Sequence, residues 1–93
     1  MELELRYFAM IREAVGERTT TREFDSGTTV RDVLAALEND HPDLEGTLLA
    51  DDGTIARSVT VLRNGINVTH LDRGATELAD GDTLSITPPV TGG

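Results

Sequence analysis

The residues best placed to do chemistry are the last ones, "PPVTGG" (88–93). Pro88 and Pro89 lack an N–H and hold φ near −65°, so they end a strand and aim the chain stiffly outward. Four residues follow, a reach of about 13 Å at roughly 3.3 Å each. Gly92 and Gly93 carry no side chains, so this end can thread a narrow channel and bring the Gly93 carboxylate to another protein's active site. An inert, frayed terminus is the plain alternative.

Other chemistry is excluded or weak. The chain has no cysteine, which removes disulfides, thiol nucleophiles, iron–sulfur ligation and thiolate zinc sites. His41 precedes Pro42 where a helix should end, and His70 falls in a loop, so the pair is a poor metal site. Asp51 and Asp52 precede Gly53 as in a turn, not as an acid–base dyad. There is no phosphate-binding loop, dinucleotide fingerprint or nucleophile triad order.

Charge narrows the partners. Seventeen acids face eight bases, giving a net charge of −9, and every base is an arginine. Such a chain repels phosphate backbones, so nucleic acid is not an expected partner. The acids are scattered, as in a solvated surface suited to a high-salt cytoplasm; attraction to a basic partner is the functional alternative. The absence of lysine also denies the chain any side-chain amine that could accept an acyl group.

These residues need a scaffold, and 93 residues allow one domain with one modest core. Aromatics are only 3%, so that core must be Val, Leu, Ile and Ala. The opening "MELELRYFAM" is acidic where a secretory leader would be basic, and no apolar run approaches the roughly 18–20 residues of a membrane span. A cytosolic protein with no membrane contact is expected.

Alternation in "LELRYF" (3–8) predicts a strand, "AMIREAVG" (9–16) a short helix stopped by Gly16, and "RTTTREF" (18–24) a second strand. Thr29 and Asp32 fit a capping box, and Val30, Val33, Leu34 and Leu37 make one apolar face of a helix ending by Pro42. Residues 44–53 read as a loop with a brief helical turn. "SVTVLRNGINV" (58–68) predicts a hairpin turning at Asn64-Gly65, and "TLSIT" (83–87) is the last strand, after a helical turn near Ala75 to Leu78. The expected class is α+β: a mixed sheet of about five strands gripping one main helix, the β-grasp. The expected division is a β-grasp domain (1–89) and a flexible tail (90–93).

The stretches "FAMIREAVG" (8–16) and "DGDTLSITPPVTGG" (80–93), with the capped helix between them, resemble the MoaD/ThiS sulfur-carrier family of ubiquitin-like proteins. Within it the likeness is to archaeal small modifier proteins and the small subunit of molybdopterin synthase, and it covers essentially the whole chain. The resemblance implies a non-catalytic carrier with no bound cofactor. An E1-like partner would adenylate Gly93 using Mg-ATP, and a sulfur donor of rhodanese or cysteine desulfurase type would convert it to a thiocarboxylate. The sulfur would go to a pterin precursor on a molybdopterin synthase large subunit. Alternatives are sulfur transfer to tRNA, or attack on Gly93 by a lysine of a target protein to form an isopeptide bond. A binding module with an inert tail is the rival from another class. A cluster-carrying β-grasp ferredoxin is excluded by the missing cysteines.

The candidate docking residues are Val90, Gly92, Pro88 and Pro89 on the tail, with Leu62, Phe8 and Arg12 on the domain. Leu62 is opposite in parity to Val59 and Val61, so it should face solvent with Thr60 and Thr87, as a docking residue or as a lone surface leucine. Phe8 is expected in the core, with a partner contact as the alternative. Arg12 should pair with an acidic partner group or with a local acid. The family often has an aromatic residue before Pro-Pro; here that place holds Thr87.

Overall fold

The computed structural model describes residues 1–89. The expectations for Val90, Gly92 and Gly93, including tail flexibility, lie outside the described residues. The elements run β1 (Glu2–Tyr7), α1 (Ala9–Val15), β2 (Thr19–Glu23), α2 (Val30–Asp40), β3 (Thr60–Arg63), β4 (Ile66–Asn67) and β5 (Thr83–Thr87). Among the described residues the strands form one sheet ordered β2-β1-β5-β3-β4, with β1 and β5 parallel at its centre and the other pairs antiparallel. This is the expected β-grasp.

Strand parity sets the two faces. Leu3, Leu5 and Tyr7 of β1, Leu84 and Ile86 of β5, and Val61 of β3 turn inward and are buried. They meet Val30, Val33, Leu34 and Leu37 of α2, all at most 1% exposed. Burying four such side chains contributes of order 1.5–3 kcal/mol each before entropy is counted.

The start of α2 is fixed by its first four residues. Thr29 Oγ1 accepts from the Asp32 N–H at 3.3 Å, and Asp32 Oδ2 accepts from the Thr29 N–H at 3.0 Å, the reciprocal pair the sequence foretold. Replacing Thr29 by Ala should cost about 1 kcal/mol and lower the thermal midpoint by about 4–8 °C, measured by circular dichroism. A change under about 2 °C would show that the box contributes little here.

Three details differ from expectation. The hairpin turns at Asn64 and Gly65, both at positive φ (50° and 85°), but β4 is only two residues long. Asn67 Oδ1 accepts from the N–H and hydroxyl of Thr69, each at 3.0 Å, and this local turn takes Val68 out of the strand into a short 3₁₀ turn. The later helical turn lies at Arg73–Ala75, earlier than expected. The stretch 44–53 also contributes to the core: Leu44 and Leu48 are buried, and Glu38 of α2 pins the loop by accepting from the Leu48 and Leu49 N–H groups at 2.9 and 3.0 Å.

Candidate functional site

The strands deliver the tail to a defined edge. β5 ends at Thr87, Pro88 is half-buried and Pro89 is exposed. Thr87 stands opposite Thr60 of β3, and on its other side the Phe8 N–H donates to the Ile86 carbonyl at 3.2 Å. Because β1 and β5 are parallel, Phe8 leaves β1 at the same edge of the sheet from which Pro88 leaves β5.

The face opposite α2 runs up to this edge. One cross-strand row on it holds Leu62, Ser85, Arg6 and Thr19, from β3, β5, β1 and β2. Leu62 therefore lies on the outer face, as its parity foretold, but its neighbours leave it half-buried. Arg6 is engaged locally, its Nε 2.7 Å from Glu4 Oε2.

Phe8 is not a core residue. Tyr7 takes the inward place, 2% exposed, with its hydroxyl 2.6 Å from Thr20 Oγ1; burial outweighs that hydrogen bond and raises the phenol above its ordinary value. The next residue in the alternation must point the other way, and Phe8 is 39% exposed. Ala9 then takes φ of 53°, a left-handed conformation that costs a side-chain-bearing residue about 1 kcal/mol or more. That bend starts α1 immediately and leaves the ring at the surface.

Arg12 forms no ion pair with a described residue, so the local-acid alternative is not realised. Its Nε donates to the Tyr7 carbonyl at 3.3 Å, and its guanidinium carbon lies 6.0 Å from the Phe8 ring centroid. Arg12 thus supports Phe8 and adds positive charge beside it. Met10, 56% exposed, extends this apolar corner, and in α1 only Ile11 is buried. The alternation of β1, carried one residue past its end, was the signal that could have placed Phe8 outside.

No group of described residues could hold a metal ion. His41 caps the C-terminus of α2 and His70 ends the 3₁₀ turn Val68–His70. Asp52 forms a local turn, accepting from the Thr54 hydroxyl at 2.6 Å and its N–H at 3.0 Å, which hold the carboxyl below its ordinary range. No described helix is long and apolar enough to cross a membrane. What the described residues offer is an edge: an apolar corner of Phe8 and Met10, a cation at Arg12, a leucine on the sheet, and a rigid exit at Pro88 and Pro89.

Known proteins share this architecture. A family model described as the ThiS family matches residues 5–93. Small archaeal modifier protein 3 of Haloferax volcanii is 50% identical over 93 residues, covering 100% of both chains. The molybdopterin synthase sulfur carrier subunit of Chlamydomonas reinhardtii is 31% identical over 93 residues, again covering 100% of both. Among solved structures, the solution structure of a Haloferax volcanii protein matches with a TM-score of 0.89 at 49% identity, covering 100% of this chain and 87% of that one. These relatives are named as a modifier protein and as a sulfur carrier subunit. With a β-grasp sheet, a capped central helix and a matched "PPVTGG" ending, the chain belongs to the ThiS family.

Proposed function

We propose that the chain is a ubiquitin-like sulfur carrier whose reactive group is the Gly93 carboxylate. The observation that carries this reading is the exit of Pro88 and Pro89 from the end of β5, beside Phe8 and within a strand of Leu62, in a ThiS-family chain whose last residues are glycines.

The chemistry follows from what a carboxylate requires. It is a poor acyl donor because its leaving group would be oxide. An E1-like partner removes this barrier by joining a Gly93 oxygen to the α-phosphate of Mg-ATP, releasing pyrophosphate. The terminal sulfur of a persulfide on a rhodanese or cysteine desulfurase type donor then attacks the acyl carbon and AMP departs, leaving an acyl disulfide between Gly93 and the donor. A partner thiolate attacks the donor's sulfur of that bond, forming a disulfide between the two partner sulfurs and releasing the thiocarboxylate. The resulting thiocarboxylate delivers sulfur to a pterin precursor held by a molybdopterin synthase large subunit. Every catalytic group and the nucleotide belong to partners; this chain supplies the carboxylate and the surface that positions it, in the cytoplasm.

Two other acceptors use the same activated end: a tRNA base, or a lysine amine that displaces the leaving group to form an isopeptide bond. The names of the Haloferax volcanii relatives favour the second. The chain itself has no lysine, and its α-amine donates to the Phe24 carbonyl at 2.8 Å. As a modifier it would therefore mark other proteins with single copies and not chains.

The docking surface is testable apart from the tail. Phe8→Ala should lower kcat/KM for activation by the E1-like enzyme about tenfold, as expected for truncating an exposed aromatic anchor. Its thermal midpoint should stay within about 4 °C, because Phe8 is not in the core. Full activity in pyrophosphate exchange would remove Phe8 from the partner contact.

A further inference from the structure

The −9 net charge conceals a local reversal of sign. Arg31, Arg57 and Arg73 line one cleft of about 510 Å³, between the start of α2, the loop before β3 and the turn Arg73–Ala75. None of these three arginines forms an ion pair with a described residue. Asp72 is the one acid in the lining. Beneath the charges the lining is apolar, with Ile55, Val59 and Val68.

Two features suggest a built arrangement. Arg73 holds a left-handed φ of 54°, a strained conformation for a residue with a side chain. Gly74 beside it is buried, and a Cβ there would lie 3.5 Å from Arg31 Cβ and Nε, so the arginine passes directly over the glycine backbone.

We propose that this cleft docks a short acidic and apolar segment of a partner protein: leucine-like side chains against the half-buried Ile55 and Ala56, and carboxylates against the arginine rim. Arginine matches carboxylates with paired N–H donors. The cleft has the volume of a ligand site, but no aromatic residue lines it, so a nucleobase has nothing to stack on. The surrounding acidic surface repels an acidic segment elsewhere, which fixes where it can bind. The outer sheet face, with Glu2, Glu4 and Glu23, does not offer this complement. Thr60 lines the cleft and also stands opposite Thr87, so the segment would lie one strand from the tail exit. The proposal does not depend on what Gly93 reacts with.

The test is nuclear magnetic resonance titration of the full chain at the lowest salt that keeps it folded. The probe is an acetylated, amidated pentapeptide of alternating glutamate and leucine. Amide shifts are expected at residues 54–61 and 67–75, weakening with added salt. The double variant Arg31→Gln/Arg57→Gln should bind at least about tenfold more weakly, the loss expected for two charge-assisted contacts, while Phe8→Ala binds as the parent does. Circular dichroism establishes that the double variant is folded. Equal binding by the glutamine–leucine peptide, shifts confined to the outer sheet face, or saturable shifts at these residues with sodium phosphate or ATP and none with the peptide would each overturn the proposal.

Discussion

Removal of Gly92 and Gly93 is expected to abolish both sulfur loading and conjugation while leaving the domain intact. The last strand ends at Thr87, and among the described residues the buried core runs from Leu3 to Ile86. The thermal midpoint should therefore stay within about 4 °C of the full chain. Activity should fall to background, since the new terminal residue, Thr91, brings a β-branched side chain to a passage proposed to admit only glycine. The readouts are pyrophosphate exchange with the E1-like enzyme and circular dichroism of the truncated chain. If the truncated protein still formed thiocarboxylate or conjugates, the tail-centred account would fail. Trypsin adds a second reading. The last arginine is Arg73, so a conjugate should leave residues 74–93 on the target lysine. That remnant branched from this chain beyond Met1 would contradict the single-copy expectation.

The second large effect concerns the base of the sheet. Asp82 is 6% exposed and joins three elements: it accepts from Arg63 Nε at 2.8 Å, Asn64 Nδ2 at 2.9 Å and the Ala79 N–H at 2.8 Å. Burial pushes its carboxyl up, but these donors together outweigh it and hold the group below its ordinary 3.8. Asp82→Ala leaves the donors without their acceptor and should cost about 2–4 kcal/mol, lowering the thermal midpoint by more than about 10 °C. Because the folded-state value lies below the unfolded one, the charged form stabilises the protein above the unfolded value. That contribution fades as pH falls through the folded value, so the gap between parent and Asp82→Asn should narrow below about pH 4. A constant gap from neutral pH down to pH 3 would show that the carboxylate charge plays no part.

How much was legible follows from range. The α2 face, its capping box and the Asn64-Gly65 turn depend on residues within a turn or two of each other, and their side-chain types declare them. The β-grasp class was legible in the order of the elements, but the strand order β2-β1-β5-β3-β4 was not, because pairing β1 with β5 joins residues nearly 80 apart and no local pattern encodes it. Leu44 and Leu48 were missed because loop residues follow no period, and Glu38 holds the loop at Leu48 and Leu49 through backbone N–H groups that the sequence does not show. Phe8 was misplaced because Tyr7 takes the inward place and the next residue in the alternation points outward. The arginine-lined cleft was invisible for a simpler reason: Arg31, Arg57 and Arg73 come from three separate segments.

The central claim is that the Gly93 carboxylate is chemically activated in the cell. Its most direct test is the intact mass of the protein purified from its own host, with fragmentation of the tail and a search of other proteins' lysines for the 74–93 remnant. The account predicts a species heavier by the exchange of one oxygen for sulfur at Gly93, or that remnant on target lysines, and loss of both when Gly92 and Gly93 are removed. A population in which every chain ends in an ordinary carboxylate, with no remnant on any other protein, would contradict it.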